Sequence, residues 1–188
     1  MRIVGGSLRG RPLAAPEGDV VRPTADRTRE ALFNILSHGK LVERLGGASP
    51  LPGAAVLDAF AGTGALGLEA LSRGARQIYF IERYAPALTV LRQNIKKLGV
   101  AEQCRVFDRD ALVPPPAPEP CQLVFMDPPY NENLALPALT ALQTAGWLAE
   151  GALVALEVMK SEAVTLPEGF DILDDRTYGK ARLIILGC

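Results

Sequence analysis

The sequence predicts an α/β fold: a mostly parallel sheet with helices on both faces. Three observations carry this expectation. From residue 54 onward, short apolar segments alternate with amphipathic ones, the order that repeated βαβ units produce. The apolar segments are rich in β-branched residues and show little polar alternation, as strands buried on both faces do. Glycine and proline, 18 and 15 in number, punctuate the boundaries between them. A length of 188 residues with 48% hydrophobic content suits one domain over residues 1–188 with a full-size core.

Taken in order, residues 1–15 alternate around Gly5-Gly6 and predict a short β-hairpin or extended arm, with residues 1–20 as an appendage. Residues 26–38 carry Ala31, Leu32, Ile35 and Leu36 at helical spacing; Thr24 or Asp26 can cap the start and Gly39 ends it. Residues 46–53, rich in Gly, Pro and Ser, form a linker. Strands are then expected at 54–57, 77–81, 104–107, 122–126 and 152–158, and helices at 65–73, 86–98 and 136–148. Pro86 suits a first helical turn and Gly99 a helix end. The proline run at 114–118 can be neither helix interior nor central strand, so it is a loop. Residues 170–176 and 181–186, around Tyr178-Gly179-Lys180, predict a closing hairpin.

Composition narrows the function classes. Cys104, Cys121 and Cys188 stand singly, which argues against a disulfide framework or a cysteine metal site. One histidine, His38, gives a zinc site or a Ser-His-Asp triad little to work with, and no metal is expected. No apolar run reaches membrane-spanning length and the first residues lack a signal-peptide core, so a cytoplasmic protein is expected. A net charge of −1 is not the usual footprint of a nucleic-acid binder. The local distribution differs: Arg2, Arg9 and Arg11 precede any acid, and Arg22, Arg27 and Arg29 follow. This is either a basic contact surface or solvated charge.

In such sheets ligands bind beyond the carboxyl ends of the strands, where strand order reverses. The first sheet strand runs into Asp58-Ala59-Phe60-Ala61-Gly62-Thr63-Gly64-Ala65-Leu66-Gly67, a G-x-G-x-x-G loop followed by a helix. The next strand ends at Glu82, an acid at about the spacing expected of a ribose ligand. The whole context points to an adenosine cofactor rather than a plain tight turn. Asp58 would repel a pyrophosphate, which favours a helix N-terminus free of acids. It suits a cationic ligand, a sulfonium bearing an ammonium group, hence S-adenosyl-L-methionine. Asp110 follows the third strand and either takes an adenine amino group or is a loop carboxylate.

The fourth strand ends in Asp127-Pro128-Pro129-Tyr130. The Asp127 side chain and the Pro128 carbonyl can both accept hydrogen bonds from an exocyclic NH2, whose lone pair is otherwise delocalised into the base. Tyr130 can stack on that base. Such a pocket reaches only a flipped or unpaired nucleotide.

These residues, with Arg2-Ile3-Val4-Gly5-Gly6, Arg9-Gly10-Arg11 and the segment Arg22-Pro23-Thr24-Ala25-Asp26-Arg27-Thr28-Arg29-Glu30-Ala31-Leu32-Phe33-Asn34-Ile35-Leu36, resemble the RsmD-type family of bacterial 16S rRNA guanine-N2 methyltransferases over nearly the whole chain. The resemblance implies a Rossmann-like class I methyltransferase fold with seven strands, the last antiparallel. It implies cofactor contacts from Asp58, Phe60, Gly62, Thr63, Gly64, Glu82, Arg83, Asp110 and Ala111. It also implies catalysis by Asp127, Pro128 and Tyr130, and substrate contacts from Arg9, Arg11, Arg22, Thr24, Arg27, Pro129 and Tyr130. The partner would be small-subunit rRNA, within an assembling particle, and the enzyme a monomer. The rival readings are an adenine-N6 methyltransferase on DNA or RNA, a non-catalytic RNA-binding assembly factor and, more distantly, an oxidoreductase.

Overall fold

The computed structural model describes residues 1–15 and 26–188. After the N-terminal arm come helices α1 (Asp26–Ser37) and α2 (Lys40–Arg44), then strand β1 (Ala55–Ala59), α3 (Ala65–Ser72), β2 (Gln77–Glu82) and α4 (Ala85–Leu98). A single 3₁₀ turn leads to β3 (Cys104–Asp108), followed by β4 (Cys121–Met126), α5 (Ala135–Thr144), β5 (Leu148–Met159), β6 (Asp171–Tyr178) and β7 (Ala181–Gly187). The strands form one sheet in the order β3-β2-β1-β4-β5-β7-β6. Strands β1 to β5 pair in parallel, and β7 runs antiparallel to both its neighbours, β5 and β6. Strand order reverses at β1, between β2 and β4, so the carboxyl ends splay apart there and leave a crevice.

Two apolar layers flank the sheet. On one face α1, α3 and α4 bury Leu32, Phe33, Leu68, Leu91 and Ile95 against Val56, Phe80 and Phe125. On the other, α5 buries Leu139 and Leu142, with Trp147, against Leu57, Ile81, Val124 and Leu156. Burial of a large apolar side chain contributes about 1.5–3 kcal/mol, so this double layer is the main stabilising term. The proline-run loop closes the second layer, where Trp147 Nε1 donates to the Pro115 carbonyl at 2.8 Å. No helix among the described residues is long and apolar enough to cross a membrane.

Two elements depart from expectation. The short α2 follows Gly39 directly and anchors itself through buried Leu41. Helix α5 stops at Thr144, four residues before its apolar periodicity ends. Gly146 adopts φ 80°, Trp147 N closes back on the Leu142 carbonyl, and the Trp147 carbonyl already accepts from Cys121 N on β4. Strand pairing therefore takes Trp147 and Leu148 from the helix, and β5 begins earlier than expected.

The N-terminal arm folds back on itself as expected: Arg2 and Pro12 form an antiparallel bridge, flanked by bonds from Ile3 N to the Arg11 carbonyl, Gly10 N to the Ile3 carbonyl and Leu13 N to the Met1 carbonyl. Other arm amides dock it on α3. Val4 N and Gly5 N each donate to the buried Glu69 carboxylate on α3 at 2.7 Å, Ser7 N donates to the Ser72 carbonyl and Leu8 N to Ser72 Oγ. A Cβ at Gly6, which has φ 75°, would overlap the Ser72 carbonyl, so this position needs glycine for the close approach; one at Gly5 would displace the Arg73 guanidinium.

Candidate active site

The loop after β1 is shaped by backbone bonds to β2. Phe60 N and Ala61 N both donate to the Ile81 carbonyl, which holds Phe60 at φ 70°. That conformation costs a non-glycine residue about 1–2 kcal/mol, and such strain concentrates at ligand sites. Gly62 follows at φ 55° and Gly64, at φ 80°, caps α3. A Cβ on Gly67 would overlap Phe80 and Ile78, so glycine lets α3 lie close against β2.

Two carboxylates fasten this loop. Asp58 Oδ2 accepts from Gly67 N at 2.8 Å and is 2% exposed. Burial is the main force raising its pKa to about 8; the charges of Asp127 and Glu82 add to it, and the Gly67 amide opposes it. Glu82 accepts from three amides: Gly62 N on one oxygen, and Arg83 N and Tyr84 N on the other. Thr63 is buried, and its carbonyl accepts from Asn94 Nδ2, whose amide also bonds Ala14 in the arm. Beyond β3, Asp110 accepts from Leu112 N and pairs with exposed Arg83 at 2.6 Å, while Ala111 is buried.

Strand β4 brings the second motif to the same crevice. In the β1–β4 register Asp58 lies opposite Phe125, so Asp127 stands one strand end away from Asp58. Tyr130 Oη donates to Glu157 Oε1 on β5 at 2.6 Å. The crevice is a cavity of about 660 Å³. It is lined by Asp58, Phe60, Gly62, Thr63, Glu82, Arg83, Asp110, Ala111, Asp127, Pro128, Pro129 and Tyr130. Two motifs well separated in sequence thus share one volume, within the ~300–1,000 Å³ typical of small-molecule sites.

Gly64 sits behind this wall, its Cα facing Leu91. Of the expected substrate residues, Pro129 and Tyr130 line the cavity, whereas Arg9, Arg11 and Arg27 do not. Arg11 donates to the Lys97 carbonyl near the end of α4, and the adjoining arm docks on the end of α3, both remote from the carboxyl edge. Arg22 and Thr24 lie outside the described residues. Thr28 of α1, within the segment that carries the family resemblance, also lines the cavity; lining residues the sequence reading passed over include Tyr84, Arg109, Leu134, Glu157, and Tyr178, Lys180 and Ala181 at the β6–β7 turn. Glu157 had a signal, an acid within the apolar run Leu153–Val158, but only strand register places it beside the cavity.

A strand–glycine loop–helix unit at the switch point of a seven-stranded sheet, with its last strand alone reversed, defines a class I methyltransferase fold. The family described as Conserved hypothetical protein 95 matches residues 1–187, and the chain belongs to it; this is the RsmD family. It is 36% identical to ribosomal RNA small subunit methyltransferase D of Escherichia coli (strain K12), over 96% of this chain and 86% of that protein. The protein of the same name from Haemophilus influenzae is 34% identical, over 95% of this chain and 89% of that one. The solved structure of Escherichia coli yhhF superposes with a TM-score of 0.82 at 34% identity, covering 100% of this chain and 97% of that one.

Proposed function

We propose that the protein transfers a methyl group from S-adenosyl-L-methionine to the exocyclic N2 amino group of a guanine in small-subunit (16S) rRNA. The observation that carries this reading is the single cavity that joins Asp58 and Glu82 to Asp127–Tyr130. The relatives named as small-subunit rRNA methyltransferases supply the polymer.

The lining fits the cofactor by charge and by shape. Among the described residues five acids line the cavity, Asp58, Glu82, Asp110, Asp127 and Glu157, and the cations that line it, Arg83, Arg109 and Lys180, are exposed. Such a site favours a cationic ligand and disfavours a pyrophosphate. Asp58 faces the positive end of the ligand, Glu82 takes ribose hydroxyls and Asp110 with Ala111 borders the adenine. Phe60, Gly62, Thr63, Gly64 and Arg83 shape the wall. Bound there, S-adenosyl-L-methionine supplies an electrophilic methyl on a sulfonium sulfur.

On the acceptor side, Asp127 and the Pro128 carbonyl accept the two amino hydrogens, which favours a pyramidal nitrogen with its lone pair directed at the donor. Pro128 and Pro129 fix φ on both sides of that carbonyl and so hold its direction. Tyr130 lies against the base. Asp127 or water takes the proton released from the product nitrogen. Rate enhancement comes from positioning and electrostatics, without a covalent enzyme intermediate. The target nucleotide is flipped or unpaired. We place this activity in the cytoplasm, on an assembling particle, with a monomeric enzyme whose affinity for naked RNA is weak and salt-sensitive.

The test is incubation with labelled cofactor and small-subunit rRNA or particles from cells lacking the gene, followed by nucleoside analysis. N2-methylguanosine is the expected product. Methyladenosine without N2-methylguanosine would overturn the assignment.

A further inference from the structure

Glu157 is the one acid in the apolar stretch of β5, and it is only 7% exposed. The β4–β5 register pairs Met126 with Leu156, so the next residues lie side by side, Asp127 just past the end of β4 and Glu157 still within β5. Both line the cavity. The Tyr130 hydroxyl, donating to Glu157 Oε1 at 2.6 Å, ties this carboxylate to the acceptor motif.

Two neighbouring carboxylates present acceptors only when ionised. On guanine, the amino group sits next to N1–H, so its edge is a continuous row of donors. On adenine, the amino group sits next to a bare N1 lone pair, which a carboxylate would repel. Resting on the methyltransferase reading above, we propose that Glu157 accepts the N1–H of the target guanine beside the amino group held by Asp127 and Pro128, and so selects guanine over adenine. The same side chain attracts one base and penalises the other, as specific sites commonly do. Tyr130 fixes the Glu157 carboxylate as well as lying against the base.

The test uses 2-aminopurine, which keeps the exocyclic amine of guanine but carries a lone pair at N1. The wild-type protein first maps the methylated nucleotide, and small-subunit RNA is then prepared with guanine or 2-aminopurine at that position. Wild type should prefer guanine in kcat/KM by about 10- to 100-fold, the range of one good hydrogen-bonded base contact. Glu157→Gln, whose amide can donate to N1, should bring the two substrates within about threefold of each other. A Glu157→Gln variant with an undiminished guanine preference would overturn the assignment, whether its activity is full or reduced. Tyr130→Phe, which removes the tie but retains the carboxylate, should lower the preference by an intermediate amount; no change there in a folded variant counts against the positioning of Glu157. If wild type makes no N2-methylguanosine at all, the guanine reading itself fails, a result distinct from an unchanged ratio.

Discussion

On the β1–β2 side of the cavity the carboxylates are held by main-chain amides, whereas on the β4–β5 side a hydrogen bond across the site joins two side chains. Asp58 takes one amide and Glu82 takes three, all from the glycine loop or the turn after β2. Tyr130 and Glu157 meet through a hydroxyl from the loop after β4 and a carboxylate from β5. A main-chain frame fixes a constant ligand and tolerates few changes of backbone. A side-chain frame can be retuned one residue at a time, which suits the half that chooses a substrate. Substitutions in the first half should therefore act on cofactor affinity, and those in the second on turnover and base choice.

The sharpest break between the halves is expected from Asp127→Ala. It removes an acceptor aimed at the reacting amine, and losing one such preorganised group typically costs about 10²–10³ in kcat. Cofactor affinity, measured by calorimetry, should stay within about threefold, since Asp127 contributes repulsion rather than support to the neighbouring Asp58. Turnover at the wild-type rate would remove Asp127 from the chemistry.

The converse is expected from Gly64→Ala. The position has φ 80°, and an added Cβ would overlap Leu91. The left-handed conformation alone costs about 1–2 kcal/mol for alanine, so the loop should shift and cofactor Kd weaken about 10-fold or more. At saturating cofactor, kcat should fall much less than in Asp127→Ala. A variant that loses kcat but keeps its Kd would erase the distinction between the halves.

Asp58 makes a pH prediction. With its pKa near 8 in the free protein, it is largely protonated at neutral pH, and a cation beside it favours the ionised form. Binding should then release a proton below pH 8, with affinity rising by up to about tenfold per pH unit toward 8 and levelling above it. Asp58→Asn should abolish this component and leave only titration of the ligand's own ammonium group. Folding stability carries a negative slope over the same range. The native state holds a proton that the unfolded chain, with a carboxyl pKa near ~4, has lost, so stability falls as pH rises from about 4 to about 8. Thermal melting of wild type and Asp58→Asn across that range checks the sign: a rising wild-type contribution would contradict it.

The two halves also differed in how far the sequence revealed them. In the loop from Asp58 to Gly67, strand pattern, glycine spacing and helix start all coincide, so chain-local signals suffice. Asp127–Tyr130 was equally visible as a motif at a strand end. Glu157 was not, because an acid in an apolar run has no marked face until register sets it beside Asp127. Helix α5 misled for a related reason: Trp147 and Leu148 continue its spacing, and only the bond from Cys121 N, supplied by another strand, shows that the chain has left the helix and is entering β5. In the arm, Gly5-Gly6 was legible as a turn signal. Its real requirement, close approach of Gly6 to the Ser72 carbonyl at the end of α3, depends on a residue far away in the chain.

The smallest expected effect concerns Arg9 and Arg11, which belong to neither half of the cavity. Both are exposed, and the arm carrying them is pinned to α3 through Glu69 and Ser72. If they contribute to RNA binding, they act on phosphates outside the reacting nucleotide, where each neutralised contact changes the salt slope of binding by about one unit or less. Replacing both with alanine should raise KM for the RNA substrate by only a few-fold at moderate salt. It should leave kcat, cofactor Kd and the guanine preference untouched. Binding isotherms over a salt series resolve the point: a shallower slope with unchanged kcat extends the substrate surface around the fold, whereas an unaltered slope confines it to residues nearer the cavity.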